Sequence, residues 1–253
     1  MIYDIQRASF LKRIPAWLLD IILLVTLTTG LVAGLSAVLN VDTYSKELDA
    51  HYTRYEEKYG IDFAQTEEGF SSMTDEELAA YEAAAEELSK DTKVQKAYEM
   101  VMNLTLVTWS LGIFGAHLIL EFLIPLWLKN GQTLGKKVFS VALMRKDGIK
   151  VTPFMMFTRA ILGKYTLETM IPVLLLIMAA FGILGLEGLL VVAVVLLLQL
   201  IIPFATHNKT AIHDILACTV AVDLNSQMIF DSTEEQQEYH KQLFEEDTAQ
   251  ADY

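Results

Sequence analysis

Residues 13–40 read RIPAWLLDIILLVTLTTGLVAGLSAVLN. From Trp17 to Leu39 the only ionisable side chain is Asp20. A helix needs about 20 mostly apolar residues to cross a hydrocarbon core, so this stretch predicts a membrane span over 17–39. Three further runs qualify, at 101–128, 165–184 and 189–206. The last two are separated only by Gly185-Leu186-Glu187-Gly188, which predicts a tight helical hairpin. The predicted fold is an all-α membrane protein: a four-span helical bundle with an extracellular helical cap and a cytoplasmic amphipathic helix. Asp20 is the anomaly, because a carboxylate in hydrocarbon is expensive unless it is paired or wet.

The chain has 253 residues, is 53% hydrophobic with mean hydropathy +0.36, and still carries a net charge of −13. That hydrophobicity suits a membrane protein better than a soluble domain. The acidity is local. Residues 41–100 hold 16 Asp/Glu and 6 Lys/Arg, and the chain from Asp223 onward holds 9 Asp/Glu and 1 Lys. What is left has 7 acids against 12 bases, so the membrane-proximal chain is basic. Nothing in this pattern supports a nucleic-acid partner. With four spans, every base of that remainder falls on one side: Arg7, Lys12 and Arg13, the group from Lys129 to Lys164, and Lys209. The positive-inside rule makes that side cytoplasmic. Both termini are then expected inside and 41–100 outside. The first run is too long for a typical signal-peptide core and is read as an uncleaved signal anchor. The single cysteine, Cys218, excludes an internal disulfide and a cysteine-cluster metal site.

Between 41 and 100, tyrosines 44, 52, 55 and 59 fall near helical spacing, and Thr74 with Glu77 resembles a capping box. Two extracellular helices are expected, the second continuing into the second span. They are read as a solvated hairpin, with a protein partner as another use. Asn130-Gly131 and Gly135 mark turns, and Val138–Met144 with Asp147-Gly148 reads as a short β-like hairpin or reentrant piece. Thr152 can cap a helix that starts at Pro153, with Phe154, Phe157 and Ile161 opposite Arg159, an interfacial amphipathic helix feeding the third span. His213-Asp214 open a short apolar segment returning to the membrane surface. Residues 1–223 are taken as the membrane domain and 224–253 as an acidic, frayed cytoplasmic tail.

No Ser/His/Asp constellation, phosphate loop or metal-ligand spacing emerges; His51, His117, His207, His213 and His240 fit none. No catalytic residue, metal or cofactor is expected, and the chain is not read as an enzyme. Gly30 and Gly34 permit close helix approach, and Gln199 is read as an interhelical hydrogen-bond partner. The informative residues are charges within or at the edge of the membrane. Asp20, Glu121 with His117 one turn before it, and Glu168 all fall in the cytoplasmic halves of their spans. Arg13, Arg159, Lys164, His213 and Asp214 are available at that level. Two uses are open. The layer is either a set of ion pairs that docks loops and fixes helix register, or a path for a monovalent cation or proton.

Arg13 with Ala16 and Asp20, then Asn130-Gly131-Gln132-Thr133-Leu134-Gly135-Lys136-Lys137, then the segment from His213 to Val222, resemble the RDD family of bacterial and archaeal integral membrane proteins. The three blocks stand in the family's order and span most of the chain. The family takes its name from one arginine and two aspartates, which by position are Arg13, Asp20 and Asp214. Gly131, Gln132, Thr133, Gly135 and Lys136 carry the central motif. The resemblance implies a multi-pass protein of the prokaryotic cytoplasmic membrane with the lipid bilayer as its surroundings. Because some members have been linked to sodium/proton antiport, it also implies possible cation exchange. The long acidic loop and the fourth span depart from the shorter members.

Overall fold

The structure is a computed structural model of the chain. It describes residues 5–128, 130–180, 182–206 and 209–251, with the side chains of 67–68 and 246–251 left aside. Lys129 and His207, named above, lie outside the described residues. In chain order the helices are α1 (Phe10–Val38), α2 (Val41–Tyr59), α3 (Glu67–Ser71), α4 (Asp75–Lys90), α5 (Thr92–Trp127), α6 (Leu134–Val138), α7 (Pro153–Ala180), α8 (Leu186–Ala205), α9 (Ile212–Leu216) and α10 (Thr233–Ala251). Strands β1 (Val141–Arg145) and β2 (Thr219–Asp223) pair antiparallel. Helices α1, α5, α7 and α8 are long and apolar enough to cross a membrane, as the four runs predicted. The all-α class holds, with one two-stranded ribbon added.

The chain divides into two compact units. The first to describe is Thr28–Ile113. Its Thr74 hydroxyl accepts from the Glu77 amide while the Glu77 carboxylate accepts from the Thr74 amide, a reciprocal capping box that starts α4. Helices α2 and α4 pack through aromatic edges, Tyr52 on Phe63 and Phe63 and Phe70 on Tyr81. The buried Tyr55 donates its hydroxyl to Asp91 at 3.1 Å. Asp91 has extended backbone and separates α4 from α5, so α4 does not run unbroken into the second span. Gly30 and Gly34 face open space and bring no neighbouring helix close.

The other unit is Met1–Leu27 with Phe114–Tyr253. Here the structure adds to or corrects the sequence reading at three points. The segment after His213 forms α9 and then β2, a strand that the sequence reading did not include, pairing Val141 with Asp223 through Arg145 with Thr219. Side chains alternate across a strand. One face of the ribbon, Val141, Leu143 and Ala221, therefore packs on Met156, while the other, Ala142, Met144, Val220 and Val222, packs on Ile5, Leu224 and Ile229.

The helix from Pro153 feeds the third span as one continuous element. Thr152 caps it, and it continues to Ala180. Its amphipathicity is inverted, with Phe154 77% exposed and Arg159 1% exposed. Lipid, not water, is the good solvent for that outer face. The tail, read as frayed, is helical over Thr233–Ala251: α10 is held where Gln236 donates to the Asp147 carbonyl at 2.6 Å and Phe230 meets the Tyr239 ring.

Candidate functional site

Asp20, Glu121, Glu168 and Asp214 each meet a cationic or donor group inside the second unit. On α1, Asp20 points at the start of α6. Its carboxylate accepts from the Thr133 hydroxyl at 2.5 Å and the Gly135 amide at 2.8 Å, with Lys136 Nζ at 3.8 Å. Thr133 in turn caps α6 by accepting from the Lys136 amide. An added Cβ at Gly135 would collide with the Ala16 carbonyl and with Asp20, so glycine is what lets α6 lie against α1. The neighbouring motif residues are structural. Gln132 donates to the Val141 carbonyl at 2.8 Å, and Gly131 sits against Leu143 and Val151.

The second half of the layer is built on α7 and α9. The Arg159 side chain is 1% exposed; its Nε donates to Asp214 Oδ1 at 2.8 Å and its Nη1 lies 3.8 Å from Glu121 Oε2. Thr219 also donates to Asp214, at 3.1 Å. Lys164 donates to Glu121 Oε1 at 2.5 Å. Glu168 is 2.8 Å from His213 Nδ1 through both oxygens and accepts the His213 amide at 3.0 Å. Gly163 allows this docking, because a Cβ there would lie 2.5 Å from the His213 Cβ. His117 is buried at the edge of the layer, 3.4 Å from the Thr169 hydroxyl and edge-on to Tyr165.

Helix winding decides which of these residues converge. Arg159 and Glu168 are nine residues apart and would stand on opposite sides of a helix with about 3.6 residues per turn. Residues Thr158–Met170 are instead wound as a π-helix, as are Leu118–Leu123 around Glu121. With i→i+5 bonding the turn widens to about 4.4 residues, so nine residues make close to two turns. Arg159, Lys164 and Glu168 then share a face. Thr166 and Thr169 reinforce the wide turn by donating to the carbonyls five residues back, Ile161 and Lys164. Both π segments stop just short of a proline, in Glu121-Phe122-Leu123-Ile124-Pro125 and Glu168-Thr169-Met170-Ile171-Pro172. Proline lacks the amide that would bond four residues back, and its ring crowds that carbonyl, which favours a widened turn before it. This repeated Glu-x-x-Ile-Pro was the available sequence signal for the winding.

Arg13 does not join Asp20. Its Nη1 donates to the Lys209 carbonyl at 2.7 Å, and its guanidinium stands 5.9 Å from the Phe10 ring. Seven residues of α-helix separate Arg13 and Asp20 by about 10 Å along the axis, and Asp20 finds closer donors on α6. The central cation is Arg159, which the sequence offered only as one of several bases near the layer. Gln199 does bridge helices, donating to the Leu167 carbonyl at 3.1 Å.

Outside the spans, electrostatics follow the same geometry. Burial, helped by nearby Lys164 and Arg159, pushes the Lys136 ammonium down to about 7 against the pull of Glu121 and Asp20. Burial also lowers His213, against the pull of Asp214. Burial opposes ionisation of Asp214, but His213 and Arg159 outweigh it and hold the carboxyl below its usual range. Among the described residues no three acidic, histidine or cysteine side chains converge as a metal-binding group.

Four apolar helices with a layer of paired charges between them define a multi-span membrane protein whose polar chemistry is internal. The chain belongs to the RDD family: the family's sequence profile matches residues 7–218, most of its length. No curated protein and no solved structure matches it.

Proposed function

We propose that the protein exchanges a monovalent cation against a proton across the cell membrane, using the charged layer as its binding site. The observation behind this is a count. Asp20, Glu121, Glu168 and Asp214 are met by Lys136, Arg159 and Lys164 in ion pairs and by Arg13, which acts on Asp214 through space, so the layer balances while His213 is neutral. Loss of one proton leaves a single negative charge that one monovalent cation can fill, and competition for a single charge is the elementary requirement of exchange. Lys136, which gives up its proton near neutrality, is the group that opens this charge to the cation. Glu121 Oε2 is buried, accepts no hydrogen bond and has Arg159 Nη1 at 3.8 Å, so it is a carboxylate oxygen on which a cation would act. On this reading the chain is not an enzyme, and the basic membrane-proximal face with both termini is cytoplasmic.

A second reading has its own support. Each carboxylate already has a protein donor, and Gly135 and Gly163 sit at the contacts that dock α6 and α9. That is what a clamp for helix register requires, in an accessory membrane protein that transports nothing. Purified protein in vesicles with an imposed pH gradient and a trapped pH dye separates the two. Exchange predicts that Na⁺, K⁺ or Li⁺ collapses the gradient and that Glu121→Gln abolishes the response. An unresponsive wild type that is well folded leaves the clamp.

A further inference from the structure

At the amino-terminal end of α7 an open cleft of about 440 Å³ lies between two unlike walls. One wall is the end of β1 with Arg145 and Lys146; the other is apolar, from Phe154 and Met155 on α7 and Leu216 on α9. Phe154 is 77% and Leu216 44% exposed, so the apolar wall opens outward at the end of a helix long enough to cross a membrane. The Arg145 guanidinium is paired with Asp147 at 2.5 Å. Lys146 is exposed and has no ion-pair partner among the described residues. Such a cleft at the end of a membrane helix places an ammonium where lipid headgroups lie and apolar side chains where acyl chains begin.

We propose that this cleft is a binding site for one anionic glycerophospholipid, its phosphate held by Lys146 and its upper acyl chain laid along Phe154, Met155 and Leu216. The continuity of the apolar wall with the lipid-facing side of α7 favours a membrane lipid over a soluble phosphate, which would gain nothing from that wall. The site lies outside the charged layer and stands whether or not the protein transports ions.

The cleft carries its own reporter. Cys218, the only cysteine in the chain, lines it and is exposed. The full chain would be placed in phosphatidylcholine nanodiscs with or without phosphatidylglycerol, and modification of Cys218 by N-ethylmaleimide followed by intact-mass spectrometry. Modification is expected to slow about five-fold with phosphatidylglycerol, the weight of one lysine near an anionic surface. Lys146→Gln should restore the phosphatidylcholine rate, while Lys241→Gln on α10 should leave the protection in place. A Cys218→Ser chain carrying Ser226→Cys, an exposed position away from the cleft, should show no lipid dependence. Equal rates in the two lipids, protection indifferent to Lys146→Gln, or equal protection at residue 226 would each overturn the site. Protection by inorganic phosphate in phosphatidylcholine alone would show a soluble-anion site and overturn the lipid assignment.

Discussion

The two compact units use the same residue types for opposite ends. In Thr28–Ile113 the pairs Lys58–Glu87, Lys90–Glu86 and Arg54–Asp91 lie on the surface, where most of these side chains are about half exposed or more. Water competes for such groups and salt screens them, so they add little to stability. In the other unit Arg159, Glu121 and Asp214 are 1%, 7% and 3% exposed at the side chain. No solvent is at hand to replace a lost partner there, so each member holds the others in place. Charge therefore contributes solubility in one unit and obligation in the other.

The contrast breaks most visibly at Arg159. Arg159→Ala strands Asp214 and Glu121 without their shared cation, which costs about 3–5 kcal/mol for a buried pair. Unfolding in mixed micelles should show that loss. A variant as stable as wild type would mean that the layer is wet and weakly coupled. Gly163→Ala comes next, since the new methyl group meets His213; overpacking of this kind costs about 1–3 kcal/mol. The same substitution at Gly30, which faces open space, should be silent.

Acidity tests the contrast in a different way. Lys136 binds its proton less tightly folded, at about 7, than unfolded, where lysine titrates at about 10.4. Its contribution is therefore complete above the unfolded value and is lost as pH falls towards 7. His213, also lowered, adds a further loss as pH falls below about 6.5. Unfolding measured from pH 10 down to 7 should show stability declining, and Lys136→Met should flatten that decline. At the small end, Lys90→Ala removes a surface partner of Glu86 and should leave the unfolding midpoint unchanged within error.

Much of the frame was legible in the sequence because bilayer thickness imposes a length that any apolar run must meet. The starts of α4 and α7 were legible too, since Thr74 and Thr152 act through bonds only three residues long. What escaped is non-local. The β1–β2 pairing joins strands more than seventy residues apart, and each strand alone is too short and too apolar to declare its partner. The α-helical period was the wrong ruler for α7: it separates Arg159 from Glu168, whereas the π winding brings them together. The tail looked frayed by composition, but Phe230 and Gln236 anchor it on the turn after β1. The motif aspartates were found, but their partners were not. The sequence left several bases open as partners, and geometry gives Asp20 to Thr133 and Gly135, and Asp214 to Arg159.

The most direct test of the central claim is proton release from the purified protein. In weakly buffered detergent at pH 7, Na⁺ would be added while a soluble pH indicator is read. If one negative charge is shared between cation and proton, binding of the cation expels up to about one proton per chain, by the reciprocity of linked equilibria. Glu121→Gln, compared under conditions where its fold has been verified, should remove the release. A folded wild type that releases no proton on addition of Na⁺, K⁺ or Li⁺ would contradict the exchange site and leave the charged layer as a clamp.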